Sequence, residues 1–199
     1  MQTVAITGAS GGLGTHVVER LSREYRCVAL NRPEVDVTDE RSVRAALNKI
    51  DDLYALVHLV GGFAAGNVAD TPTETWTQML SMNLTGAFIA IREALPRLTR
   101  PGRIVAISSI ATLTPSAGTA AYSISKSALN TLVQTVAIEQ RGTGITANAV
   151  LPDAMATPAM LKEMDASKLV PLEHVSETIA FLLSDRAAGV TGMLVAVRA

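Results

Sequence analysis

Residues 3–14 read TVAITGASGGLG, an apolar run that breaks into glycines and leads straight into the periodic segment THVVERL. The run has the composition of a buried strand, and the periodicity after it predicts a helix from Leu13 to Glu24. Between them Gly8, Gly12 and Gly14 are spaced Gx3GxG. Glycines here let the backbone turn sharply and approach a ligand closely. The following helix offers free N–H groups and a positive dipole end to a pyrophosphate. A strand, a glycine loop and a helix in this order predict the first βαβ unit of a dinucleotide-binding fold. The loop alone can also be read as a tight turn that uses glycine for positive φ, so the rest of the chain must supply the context.

Short β-branched runs continue to alternate with longer helical patterns. Strands are expected at Thr3–Thr7, Cys27–Leu30, Leu53–Val60, Arg103–Ser108, Ile145–Leu151 and Met193–Val197. Helices are expected at Leu13–Glu24, Glu40–Ile50, Thr73–Thr99, Ala120–Gln140 and His174–Ser184, the third as a pair or one bent helix. The alternation predicts an α/β fold of Rossmann type, a doubly wound parallel sheet with helices on both faces. No repeat or linker interrupts it, so residues 1–199 are read as a single domain. One connection is odd: only Arg32 to Glu34 separate the second strand from a possible strand Val35–Val37. A parallel crossover needs a dozen or more residues, so that third strand is a stub at a shortened sheet edge or is absent as a ladder partner.

At the end of the second strand, where an acid would hydrogen-bond the ribose 2′-hydroxyl, stand Asn31 and Arg32. Arginine attracts a 2′-phosphate by a charge-assisted bond, which favours NADP, with NAD as the other possibility. Composition narrows the partners. The 199 residues are 48% apolar and 18% charged, with 17 Lys and Arg against 18 Asp and Glu. That balance gives no long-range field toward nucleic acid or an anionic membrane. A lone Cys27 and an N-terminus without a leader pattern point to a reducing, cytoplasmic setting. No His, Cys and carboxylate cluster has metal-ligand spacing.

Further along, Tyr122 and Lys126 in YSISK lie four residues apart, on one face of the predicted helix. With the glycine loop in place, the sequence resembles the short-chain dehydrogenase/reductase family over nearly its whole length. The motifs that carry the resemblance are TGASGGLG (7–14), DVTD (36–39), MNLTGAF (82–88), GRIVAISS (102–109), YSISK (122–126) and NAVLPDAMATP (148–158). The resemblance implies a catalytic tetrad of Asn83, Ser109, Tyr122 and Lys126, with Ser109 thirteen residues before Tyr122. It further implies that Asp36 and Val37 lie near the adenine, Gly61 near the cofactor ribose and Thr157 near the nicotinamide amide. Gly8, Ser10, Gly12, Leu13, Gly14, Asn31, Arg32, Pro152 and Met155 complete the implied cofactor contacts, with Tyr122 and Lys126. Homodimers or homotetramers follow from family habit, through the helices containing Asn83 to Ile91 and Tyr122 to Gln140.

Three departures from the family pattern stand out. His58-Leu59-Val60-Gly61 replaces Asn-Asn-Ala-Gly, Asp153 replaces the glycine after Pro152, and the helix between the second and third strands is missing. VGGFAAGNVAD and LPDAMATPAM look like segments of dihydropteridine reductases, a branch of the same family, although those typically carry an acidic ribose reader and lack the serine.

The chemistry these residues imply is hydride transfer to a small carbonyl compound, or from the corresponding alcohol. Tyrosine, with a reference pKa near 10, is a poor acid unless its phenolate is stabilised, and the expectation is that Lys126 lowers it. Ser109 would hold the substrate oxygen. Asn83 would hold a water that relays protons to Lys126, and Ser108 would be structural. His58 reads as a core histidine, and Trp76, Met79 and Met82 as packing. Phe63 is a candidate pocket residue, and about 153–172 a substrate loop. Two alternatives remain at this level: reduction of a quinonoid dihydropterin, and a non-catalytic NADP sensor.

Overall fold

Six parallel strands form one sheet in the computed structural model, which describes residues 1–114 and 116–199. They are β1 (Thr3–Thr7), β2 (Arg26–Leu30), β3 (Leu53–His58), β4 (Leu98–Ile107), β5 (Ile145–Pro152) and β6 (Leu194–Val197), in the spatial order β2-β1-β3-β4-β5-β6. β1, β3 and β5 are buried at every residue, which is why they read as continuous apolar runs rather than alternating ones. The helices are α1 (Gly14–Leu21), α2 (Glu40–Leu47), α3 (Thr73–Leu80), α4 (Gly86–Ala94), α5 (Ala120–Glu139) and α6 (Leu172–Leu183).

The helices divide between two apolar layers. Leu47, Ala87, Ile91, Leu129 and Val133 from α2, α4 and α5 pack on one face of the sheet. Val17, Leu21, Val175 and Ile179 from α1 and α6 pack on the other. The chain passes from β1 out to β2 and then back to β3, so the strand order reverses between β1 and β3. Ligands of open α/β sheets bind at such a switch point, outside the carboxyl ends of the strands. There the backbones come close: a Cβ on Gly8, whose φ is +69°, would lie 3.1 Å from the Val60 backbone nitrogen.

Three segments settle or depart from expectation. First, of the two readings left open after the second strand, the absent one holds: Val35–Val37 forms no ladder, so β2 is the sheet edge. A tight turn takes the place of the missing helix: the Asp36 carboxylate accepts from the Thr38 N–H at 2.9 Å and the Thr38 hydroxyl at 2.7 Å. Asp39 then caps α2 by accepting from the Arg41 N–H at 2.9 Å. Second, the expected helix Thr73–Thr99 is α3 and α4 joined through a π-turn at Ser81–Thr85, followed by a short 3-10 turn at Leu95–Arg97. Leu98 and Thr99 already belong to β4, five residues before its expected start. Third, β3 ends at His58, so Leu59 and Val60 belong to the loop above the sheet. No described helix is long and apolar enough to cross a membrane.

Candidate active site

The glycine loop follows β1 because the strand can end sharply only where Gly8 takes positive φ. Close packing then excludes any side chain at Gly14, whose Cβ would lie 2.2 Å from the Gly8 carbonyl oxygen. Leu13 precedes α1 at its N-cap with no side-chain cap, and no acid stands in the first turn, so the positive end of the helix faces the loop without a carboxylate to compete with an anion. This cradle fits a pyrophosphate. The Asn31 side-chain oxygen, just after β2, accepts from the Ser10 N–H at 3.2 Å and ties the loop to the strand end.

The implied cofactor residues Gly8, Ser10, Gly12, Gly14, Asn31, Arg32, Asp36, Gly61, Pro152, Met155 and Thr157 all lie at or beyond the carboxyl ends of the strands, on the side of the switch point. Their roles differ. Leu13 and Val37 are buried in the core layers, and Val37 packs so tightly on α4 that a Cβ on Gly86 would meet it at 2.8 Å. Their side chains serve packing. Arg32 is exposed and paired with Asp36 at 2.6 Å. Hydrogen bonds from Thr38, with the Arg32 pair second to them, hold the Asp36 carboxyl below its ordinary range.

The tetrad residues converge from three elements. Asn83 sits in the π-turn, fully buried; widened turns of this kind often mark functional positions. Its side-chain oxygen accepts from the Gly62 N–H at 2.8 Å. Its amide nitrogen donates to the Gly62 carbonyl at 3.0 Å and to the Ser125 hydroxyl at 3.0 Å. Asn83 thus holds the loop after β3 as a strand neighbour would, which is a positioning task the sequence did not reveal. Ser125 was also missed. Its own hydroxyl donates to the Tyr122 carbonyl at 2.7 Å, linking Asn83 to the helix that carries the tyrosine. The only sequence signal was a small polar residue inside YSISK.

Tyr122 lies in the first turn of α5 and Lys126 one turn on, as their spacing predicted. Phe63 meets Tyr122 edge-on, ring centres 5.0 Å apart at 72°. Burial pushes the Tyr122 phenol up, and a hydrogen bond with Ser109 pulls it partly back. The Lys126 ammonium is buried and donates to the Ile107 carbonyl at 2.9 Å, and burial lowers Lys126 itself to about 8. A Cβ on Gly61 would lie 2.8 Å from both Lys126 Nζ and the Asn83 oxygen, so glycine is what lets the two approach the loop.

Ser108 is structural, donating to the Lys126 carbonyl at 3.3 Å. His58 is fully buried with Nδ1 3.0 Å from the Thr7 hydroxyl. Burial first, and the Lys126 charge second, hold it down to about 3, so it is neutral. Met79 is buried, while Trp76 is half-exposed. No group of three or more potential metal ligands forms among the described residues. A cleft of about 620 Å³ opens above Tyr122, and its walls include Leu59, Phe63, Ser109, Ile110, Met155 and Met160.

Residues 2–199 match the family model described as enoyl-(acyl carrier protein) reductase. Inactive 2-(S)-hydroxypropyl-CoM dehydrogenase 2 of Xanthobacter autotrophicus is 35% identical over 185 residues, covering 81% of this chain and 80% of that protein. 2-(R)-hydroxypropyl-CoM dehydrogenase of the same organism is 31% identical over 238 aligned positions, covering 96% of this chain and 95% of its own. That span exceeds the present chain's 199 residues, so the relative carries insertions this chain lacks. Among solved structures, ElxO with NADP bound superposes with a TM-score of 0.91 at 26% identity, covering 98% of this chain and 96% of ElxO. The chain is an oxidoreductase of the short-chain dehydrogenase/reductase family.

Proposed function

We propose that the protein reduces a small carbonyl compound, or oxidises the corresponding alcohol, with Tyr122 as the acid, Ser109 holding the oxygen and NADP preferred over NAD. The observation that carries this reading is the convergence of Ser109, Tyr122 and Lys126 on one apolar-walled cleft beside a glycine loop. When bound, the nicotinamide dinucleotide supplies or accepts the hydride. The protein's own groups handle the oxygen and its proton. Ser109 donates a hydrogen bond to the carbonyl oxygen and fixes it near the phenol. Tyr122 gives its proton to that oxygen as negative charge develops. Lys126, protonated below about 8, is the one cationic side chain among the described residues lining the cleft. Asn83 and Ser125 act through Gly62 and Tyr122 as positioning residues.

The 2′-phosphate would be read by Arg32, with Asn31 beside it holding the Ser10 N–H of the glycine loop. The Arg32–Asp36 pair is exposed, and an exposed pair of this kind is worth about 1 kcal/mol or less, so Arg32 is free to exchange partners. The loop over about 153–172 forms the substrate flank. It is fastened at its base by Met155 and Val170, which pair as in a parallel bridge, and is exposed between them at residues 161–168. Fluorescence titration with NADPH and NADH checks the cofactor reading. Wild type is expected to bind NADPH at least tenfold more tightly, and Arg32→Ala to remove most of that difference. Equal affinities in wild type would discard NADP preference.

A further inference from the structure

The cleft holds only two charged side chains among its described lining residues, Lys126 and Asp153. Lys126 is 4% exposed and its ammonium is engaged by the Ile107 carbonyl. It cannot reach out to a substrate's acid group. Asp153 is exposed on the rim, immediately after Pro152, with its N–H held by the Val197 carbonyl at 3.0 Å. Its carboxylate accepts only from the neighbouring Ala154 N–H, also at 3.0 Å. No arginine, free lysine or histidine faces it across the cleft among those lining residues. The walls opposite are apolar: Leu59, Phe63, Ile110, Met155 and Met160. Phe63 is 64% exposed although it touches Tyr122, so an apolar surface lies uncovered beside the reacting hydroxyl. The loop that carries it is fixed rather than loose, since the Gly66 N–H donates to the Gly118 carbonyl at 2.8 Å and Gly66 bridges Thr119 just before α5.

We propose that this cleft selects neutral, largely apolar carbonyl substrates, with Asp153 turning away carboxylate-, sulfonate- or phosphate-bearing ones and Phe63 covering the apolar part of the molecule beside Tyr122. The proposal rests on the reductase reading above and adds the chemical class of its substrate. An anion in the cleft meets the Asp153 carboxylate on the rim and no cation free to pair with it, since Lys126 is buried against Ile107, and a bound carboxylate left without a partner is strongly disfavoured. An apolar group meets aromatic and thioether surface.

The test uses 4-oxocyclohexanecarboxylate and its methyl ester, which differ in charge and by one methyl group, with saturating NADPH near neutral pH; the Asp153 variants separate the charge from the methyl. Wild type is expected to reduce the ester with a kcat/KM at least tenfold above that of the acid. Asp153→Asn is expected to shrink the ratio about tenfold, the factor that 1.4 kcal/mol gives. Asp153→Ser, which keeps an oxygen for the Ala154 N–H, should do the same if the asparagine variant folds poorly. A variant that only changed cofactor affinity would move both substrates together and leave the ratio where it was. Calorimetric titration of the NADP-loaded protein with each compound reads the preference without turnover. Ester preferred in binding but neither ketone reduced would sink the reductase reading and uphold the charge filter. Acid and ester accepted equally in binding and turnover, or a ratio indifferent to Asp153→Asn and Asp153→Ser, would overturn the filter.

Discussion

Replacing Lys126 with methionine exposes the stability cost of a buried ammonium. The side chain is 4% exposed, and burial lowers its pKa from 10.5 to about 8. Between those two values the unfolded chain binds a proton that the folded chain does not, so stability rises with pH through this window. Below about 8 the full cost is present in the folded state; above 10.5 it is gone. Each pH unit inside the window corresponds to about 1.4 kcal/mol, and partial titration near the lower end brings the gain from pH 7.5 to 9.5 to about 2 kcal/mol. Methionine matches the stem in length and has no proton to lose. The hydrogen bond to Ile107 is lost at both pH values and cancels from the difference. Urea unfolding of wild type and Lys126→Met at both pH values, followed by circular dichroism, isolates the effect. The stability advantage of Lys126→Met is expected to fall by about 2 kcal/mol between pH 7.5 and 9.5. Parallel pH dependences for the two proteins would refute the reasoning, because they would mean that Lys126 keeps an ordinary pKa in the fold.

His58 works in the same direction at lower pH. Held down to about 3 against an ordinary 6.5, it costs stability as pH falls through 6.5, because the unfolded chain takes up a proton that the fold refuses. His58→Asn, which keeps a polar group for Thr7, is expected to retain about 2 kcal/mol more of its neutral-pH stability at pH 4.5 than wild type does; denaturant titrations across that range check it. Gly61→Ala forces a methyl to within 2.8 Å of Asn83 and Lys126. It should cost roughly 1–3 kcal/mol of stability, as overpacking does, and weaken NADPH binding, read by urea unfolding and fluorescence titration; a variant unchanged in both would mean that the loop yields freely.

Much of this site could be read before the structure because its parts depend on local rules. β1 and the glycine loop follow from an apolar run ending at a residue that must take positive φ, and Tyr122 and Lys126 share a face because helical spacing dictates it. What failed to show in the sequence depends on distant contacts. The expected helix to Thr99 overran because Leu98 to Gly102 lacks the β-branched signature of a strand and joins β4 only by pairing with β3 and β5. The π-turn at Ser81–Thr85 leaves no mark in residue type. The bond from the Lys126 ammonium to the Ile107 carbonyl is set by where β4 ends beneath α5. The partner of Asn83, the Gly62 backbone, appears only once β3 stops at His58 and its loop folds over α3.

The central claim is that Tyr122 transfers the proton. Tyr122→Phe keeps the ring that Phe63 meets and removes only the hydroxyl, so the decisive measurement is a single-turnover reaction of this variant loaded with NADPH, on a ketone that wild type reduces. The expected result is NADPH affinity within about twofold of wild type and a turnover rate lower by at least 10²-fold, the lower range for loss of a general acid. A Tyr122→Phe rate near that of wild type would contradict the account.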